Sequence, residues 1–224
     1  MNRSAARQSV VILISGRGSN MLALIEQSRH ADSPYAVGAV FSDRADAAGL
    51  AAARDLDVPT AALPFRKGSE REAYDRELAA LVREHDPSLV VLAGFMRILS
   101  AQFVDAFAGR IMNIHPSLLP KYPGLHTHRR VLEAKEAEHG ATVHFVTAQL
   151  DAGPAIVQGR VHVSPDDSES SLAARVQRQE HRIYPLAVRW FCEGRLRCAQ
   201  GRAWLDGREL CEPLQYAEQE SALS

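Results

Sequence analysis

Residues 113–120 read NIHPSLLP, with Asn113 and His115 two apart at the end of an apolar run and Pro116 directly behind them. Residues two apart on a strand share a face, so Met112 and Ile114 are expected on one side and Asn113 and His115 on the other. Pro116 bars the chain from continuing as strand or helix. An amide and an imidazole aimed at one space suit the stabilisation of an oxygen that gains negative charge during acyl chemistry. The competing reading is a packed, hydrogen-bonded histidine at a strand end beside a turn-forming asparagine. Asp151 begins DAGP in a later loop, and Asp-x-Gly is also a common turn. Its chemical interest is conditional: if Asp151 reaches His115, its charge favours the imidazolium and orients the ring.

A second stretch, SGRGSN at 15–20, follows an apolar run. Gly16 and Gly18 permit close backbone approach, Ser19 and Asn20 add side-chain hydrogen bonds, and a helix N-terminus there favours a phosphate. There is no third glycine in dinucleotide register and no Gly-Lys-Ser/Thr ending, so neither standard nucleotide loop is matched. An ordinary strand-to-helix turn with an N-cap remains the alternative.

Histidines are dense at His115, His126, His128, His139 and His144. His126 and His128 fall in a glycine–proline loop, no ligand-spaced cysteine accompanies them, and no His-Glu-x-x-His occurs, so no metal is expected. A Ser-His-Asp hydrolase lacks its Gly-x-Ser-x-Gly elbow. The charge runs Arg178–Arg182 and Arg195–Arg202 read as solvated faces, although Glu180 interrupts the first.

These groups must be positioned by a sheet. SVVILIS (9–15), YAVGAVFSD, the weaker VPTAALPF, PSLVVLAGF and GRIMNIH read as five strands. Helical stretches separate them: MLALIEQSRH, Ala45–Arg54, SEREAYDRELAALVREH with a Ser69/Glu72 capping box, and Ser100–Phe107. Such alternation argues an open, mostly parallel α/β sheet with helices on both faces. ATVHFV and AIVQGRVHV are joined by too short a link for a crossover helix, so an antiparallel late pair is expected. Ser168–Glu193 reads as one long helix, with Leu172, Val176, Ile183, Leu186 and Trp190 at helical spacing. Short strand-like pieces follow Gly194, before a polar end, AEQESALS, that should fray.

The chain has 224 residues, 46% hydrophobic and 24% charged, with a formal net charge of −1. That suits one domain with a sizeable core and no global field for nucleic acid or anionic membrane. Cys192, Cys198 and Cys211 match no zinc pattern, and their odd number fits a reducing cytoplasm. The apolar run Val10–Ile14 is too short for a signal segment or a membrane span.

Together, VILISGRGSN, VVLAGFMRILS, GRIMNIHPSLLPKYPGLHTHRRVLEA, EHGATVHFVTAQLDAGPAIVQ and ARVQRQEHRIYPLAVRWF resemble the phosphoribosylglycinamide formyltransferase family, from residue 10 to about 191. The resemblance implies transfer of a formyl group from 10-formyltetrahydrofolate, as co-substrate, to the primary amine of glycinamide ribonucleotide. It places Asn113, His115 and Asp151 on catalytic positions, Gly18, Ser19 and Asn20 on a phosphate site, and Glu180 on a ribose contact. Arg71, Arg97 and Ile98 fall on folate-site positions. Met96 and Leu99, within FMRIL, with Leu92, Val104 and the backbone of the 147–151 loop, complete the implied pocket. Pro116–Glu138 matches a loop that is mobile in the family. One domain over 1–224 is expected, with a mononucleotide-binding half (9–120), a folate and catalytic half (121–210) and a tail (211–224). A monomer or homodimer is expected.

Within the wider superfamily, methionyl-tRNA formyltransferase usually adds a basic C-terminal domain, and a formyltetrahydrofolate hydrolase an N-terminal regulatory one. Neither addition is expected here. A sugar-nucleotide N-formyltransferase explains the glycine turn poorly, and a non-catalytic nucleotide-binding module would be expected to break at least one of Asn113, His115 and Asp151.

Overall fold

The computed structural model describes residues 6–65, 68 and 70–216. Strand and helix alternate as β1 (Gln8–Ile14), α1 (Ser19–Ser28), β2 (Tyr35–Ser42), α2 (Ala48–Arg54), β3 (Thr60–Ala62), α3 (Arg71–Arg83), β4 (Leu89–Leu92), α4 (Ala101–Ala106) and β5 (Ile111–His115). Then come α5 (Thr127–Glu133), β6 (Glu138–Phe145), β7 (Ala155–His162) and α6 (Glu169–Cys192). Four short strands complete the described residues: β8 (Leu196–Ala199), β9 (Arg202–Leu205), β10 (Arg208–Glu209) and β11 (Leu214–Tyr216).

The main sheet has eight strands in the order β11-β7-β6-β5-β4-β1-β2-β3. β6 runs antiparallel to both its neighbours, whereas the other pairings are parallel. The expected mostly parallel sheet with a late antiparallel pair is therefore present. Burial explains the pattern in β1. Val10, Ile12 and Ile14 pack on one side with α1, α2 and α6, and Val11 and Leu13 on the other with α3 and α4. A strand covered on both faces reads as a continuous apolar run, and a one-residue slip would exchange its two packing sets.

Helix α6 begins behind the capping serine Ser168, whose hydroxyl accepts from Ser171 N–H while Ser171 Oγ accepts in return from Ser168 N–H. Its buried stripe runs through Leu172, Val176, Gln179, Glu180, Ile183, Tyr184, Ala187 and Val188. Leu186 and Trp190, expected on that stripe, are only half-buried, and Glu180 takes a core-facing place instead. Tyr184 is fully buried, with its Oη 3.0 Å from the carbonyl oxygens of both Leu92 and Met112. Its single proton bridges the two strands and ties α6 beneath the ends of β4 and β5.

Other differences are local. Residues 127–133 form helix α5 where the sequence suggested a loop. The pieces after Gly194 separate: β8, β9 and β10 make a small antiparallel sheet, while β11 pairs with β7 as an edge of the main one. The expected Ser69 cap and the expected fraying of 217–224 lie outside the described residues.

Candidate active site

At the end of β5, Met112 and Ile114 are buried in the core, and Asn113 and His115 face the opposite side into a cavity. The loop after β6 brings Asp151 to them. His115 Nδ1 lies 3.5 Å from Asp151 Oδ2, and their side chains are only 8% and 6% exposed. At that distance the contact is an ion-pair approach rather than a tight hydrogen bond. His115 Nε2–H donates to the Tyr122 carbonyl at 2.9 Å. Gly124 N–H donates to Asp151 Oδ2 at 2.9 Å, which steers the carboxylate.

His144 completes the cluster; the sequence reading named it among the dense histidines but gave it no role at the site. Burial pushes its pKa down, so the ring is held neutral. Its Nδ1 is 2.9 Å from the Phe145 carbonyl and must carry the proton, leaving the Nε2 lone pair to accept from Asn113 Nδ2–H at 3.2 Å. That fixes the orientation of the Asn113 amide and leaves its second N–H for a ligand. The available signal was a lone imidazole inside the apolar strand ATVHFV.

Gly153 has a steric reason to be glycine. A Cβ there would sit 1.8 Å from the Phe145 carbonyl oxygen, because the chain returns close against β6 on entering β7. The motif is thus a close-approach turn that swings Asp151, at φ 50°, inward.

The cavity is about 530 Å³ and is lined by Leu92, Met96, Arg97, Ile98 and Leu99 as well as Asn113, His115 and Asp151. Thr147, Ala148, Gln149 and Leu150, from the loop whose backbone the family resemblance assigned to the pocket, form another wall. Met96, Ile98, Leu125 and Leu150 line it although each is at least 52% exposed, so its mouth is an apolar collar. The 94–99 loop is pinned at both ends. Met96 N–H donates to Ser15 Oγ at 2.8 Å, and Ser100 N–H to the buried Asp75 at 2.5 Å. Two expected pocket residues lie elsewhere. Val104 is buried in the core with Leu92 and Leu99, and Arg71 is exposed at the start of α3; neither lines the cavity.

The glycine turn occupies another part of the same carboxyl edge. Gly18 takes φ 76° as the N-cap of α1, a left-handed conformation that glycine adopts without strain. Ser19 Oγ accepts from Gln177 Nε2 at 2.9 Å, and Asn20 Nδ2 donates to Glu180 Oε2 at 2.7 Å. Burial raises the pKa of Glu180, and the Asn20 hydrogen bond offsets part of that shift. Asn20 Oδ1 is buried with no partner among the described residues, and Arg17 faces solvent. Gln177 escaped the sequence reading, although it precedes Glu180 by three residues and so shares its helical face.

Of the three remaining clustered histidines, His126 lines the cavity, while His128 Nδ1 and His139 Nε2 lie 3.0 Å apart, tying α5 to β6. Burial chiefly pushes both downward in pKa, His139 to about 4. Among the described residues no group of three or more His, Cys, Asp or Glu could hold a metal ion, and no helix is long and apolar enough to cross a membrane.

A preorganised amide, imidazole and carboxylate at one end of an apolar cavity, on a doubly wound sheet with a glycine turn, belong to the class of group-transfer enzymes. The chain belongs to the formyl transferase family, whose profile matches residues 8–188. It is 53% identical over 212 residues to phosphoribosylglycinamide formyltransferase of Escherichia coli (strain K12), covering 95% of this chain and all of that one. Identity to the Haemophilus influenzae enzyme of the same name is 42% over 203 residues, covering 91% and 96% of the two chains. The structure of the Coxiella burnetii phosphoribosylglycinamide formyltransferase superposes with a TM-score of 0.90 at 43% identity, covering 94% of this chain and all of the other.

Proposed function

We propose that the chain transfers the formyl group of 10-formyltetrahydrofolate to the primary amine of glycinamide ribonucleotide. The observation that carries this reading is the convergence of Asn113, His115 and Asp151 at one end of an apolar cavity of about 530 Å³. A flat pterin and benzoate suit such a cavity, and the reactive formyl group would reach the polar end. The glycine turn, with Gly18, Ser19, Asn20 and Glu180, would receive the phosphate and ribose of the second substrate.

The neutral amine attacks the formyl carbon, giving a tetrahedral oxyanion. Collapse breaks the bond to the folate nitrogen, and the proton lost by the amine ends on that nitrogen. The free N–H of Asn113 is placed to donate to the oxyanion, because its partner N–H is committed to His144. His115 donates as well once a substrate oxygen takes the place of the Tyr122 carbonyl. Asp151, 3.5 Å from His115 Nδ1, orients the imidazole and carries the amine proton toward the leaving nitrogen. No covalent enzyme intermediate is required.

The test is an absorbance assay with 10-formyltetrahydrofolate, or 10-formyldideazafolate in its place, with and without glycinamide ribonucleotide. Deformylation that depends on the amine substrate is the expected outcome. Equal release without it would make the protein a hydrolase and overturn the reading.

A further inference from the structure

Arg97 lines the cavity but is held in an unusual way. Its guanidinium carbon stands 3.4 Å from the centroid of the Phe65 ring and 4.9 Å from that of Tyr74. Its buried Nε–H has no acceptor among the described residues. The two rings meet edge to face, with centroids 5.3 Å apart and planes at 79°. Both are anchored to backbone. Tyr74 Oη donates to the Leu63 carbonyl at 2.9 Å, and Phe65 N–H donates to the Asp43 carbonyl at 3.2 Å. A guanidinium stacked on a ring keeps its charge and its outward N–H groups, whereas one paired with a protein carboxylate would have spent both.

We infer that Phe65 and Tyr74 are positioning residues that hold Arg97 as a cation aimed at the anionic end of the co-substrate. This rests on the folate reading of the cavity and deepens it. The pterin end of a reduced folate carries no fixed charge, whereas its glutamate tail carries carboxylates. A guanidinium at the wall of a mostly apolar cavity selects for such a tail, because planar carboxylate and planar fork match. Aromatic stacking cuts the number of orientations that Arg97 samples, so the benefit appears in co-substrate binding and not in the chemical step.

The experiment compares 10-formyltetrahydrofolate with its pteroate analogue, which lacks the glutamate, using wild-type protein, Phe65→Leu, Phe65→Trp, Arg97→Ala and the Phe65→Leu/Arg97→Ala double variant. Phe65→Leu is expected to raise KM for the glutamate-bearing co-substrate about five- to thirty-fold. Its kcat and its KM for glycinamide ribonucleotide should stay within about twofold. With the pteroate analogue the variant should match wild type, Phe65→Trp should restore binding, and Phe65→Leu should add nothing once Arg97 is alanine. An equal penalty with the pteroate analogue, or a full penalty in the Arg97→Ala background, would show that the rings only support the loop and would overturn the inference. Absence of formyl transfer by the wild-type protein from either co-substrate would instead sink the functional reading on which it rests.

Discussion

The two ends of the carboxyl edge are built on opposite plans. Around Asn113, His115 and Asp151 each polar side chain has a protein partner, and His144, Tyr122 and Gly124 fix their directions. At the glycine turn Asn20 keeps a buried oxygen unpaired, and Ser19 and Asn20 are held from α6 through Gln177 and Glu180. A group that must meet a transient charge has to be oriented in advance, since a reorganisation cost at the moment of reaction would be lost from the rate. A group that binds a stable ground-state ligand can keep atoms open for it, and the open Asn20 oxygen is an acceptor suited to a ligand hydroxyl or N–H. The first region should therefore answer to substitution in turnover, and the second in binding.

The largest expected effect comes from truncating the oriented groups. Asn113→Ala, His115→Ala and Asp151→Ala should each lower kcat by about 10²–10³-fold with the thermal transition largely kept. Near-wild-type turnover for Asp151→Ala in steady-state assays would remove it from the reacting set. Gly153→Ala should come close to the same loss without deleting any reacting group, because the added Cβ meets the Phe145 carbonyl and pushes the Asp151 loop outward. Misplacement of about 1 Å is enough for a ~10²-fold drop. If Gly153→Ala kept full kcat, preorganisation of Asp151 would not be what separates the two regions.

At the glycine turn the expectation is smaller and of another kind. Asn20→Ala should raise KM for the phosphorylated substrate about tenfold and leave kcat within about twofold. A matching fall in kcat would erase the contrast.

The smallest effect is a pH response in the segment that carries Gly124. His139 is pushed down to about 4 and His128 is also lowered, mainly by burial, against about 6.5 when unfolded. The folded state therefore binds fewer protons than the unfolded one between those values. The stability that this contact lends to α5 is full above about pH 6.5 and is lost as pH falls toward 4. Hydrogen exchange corrected for intrinsic rates should show Thr127–Glu133 losing protection several-fold between about pH 7.5 and 5, with β1 unchanged as reference. Equal protection at both values would separate the histidine pair from the order of α5.

Legibility tracked the density of apolar residues. β1 and β4 were readable because both faces are covered, and α6 because its stripe extends through many turns. Helix α5 escaped because only Thr127 and Val131 are buried, too few for a period, and a Gly–Pro stretch precedes it. Strand β11 escaped because its three residues lie at an edge and are largely exposed. At the site, Asn113 and His115 could be aligned from the alternation of one strand, and Gly18, Ser19 and Asn20 from the strand-to-helix turn. Leu92, Met96, Ile98 and Leu99 came from the family resemblance, which also put Arg71 and Val104 at the folate site, although neither lines this cavity.

Sequence alone determined the strands from β1 to β7, where their carboxyl ends lie, and which polar residues stand there, since local periodicity and turn chemistry encode those facts. Only the tertiary structure decided that the reversed strand β6 lies beside β5. That placement sets His144 against Asn113 and carries Asp151 to His115, and the aromatic rings from the loop after β3 and from α3 onto Arg97 are another contact of the same kind. Such contacts join residues far apart in the chain. Strand order and direction create them, and no local window of sequence contains either.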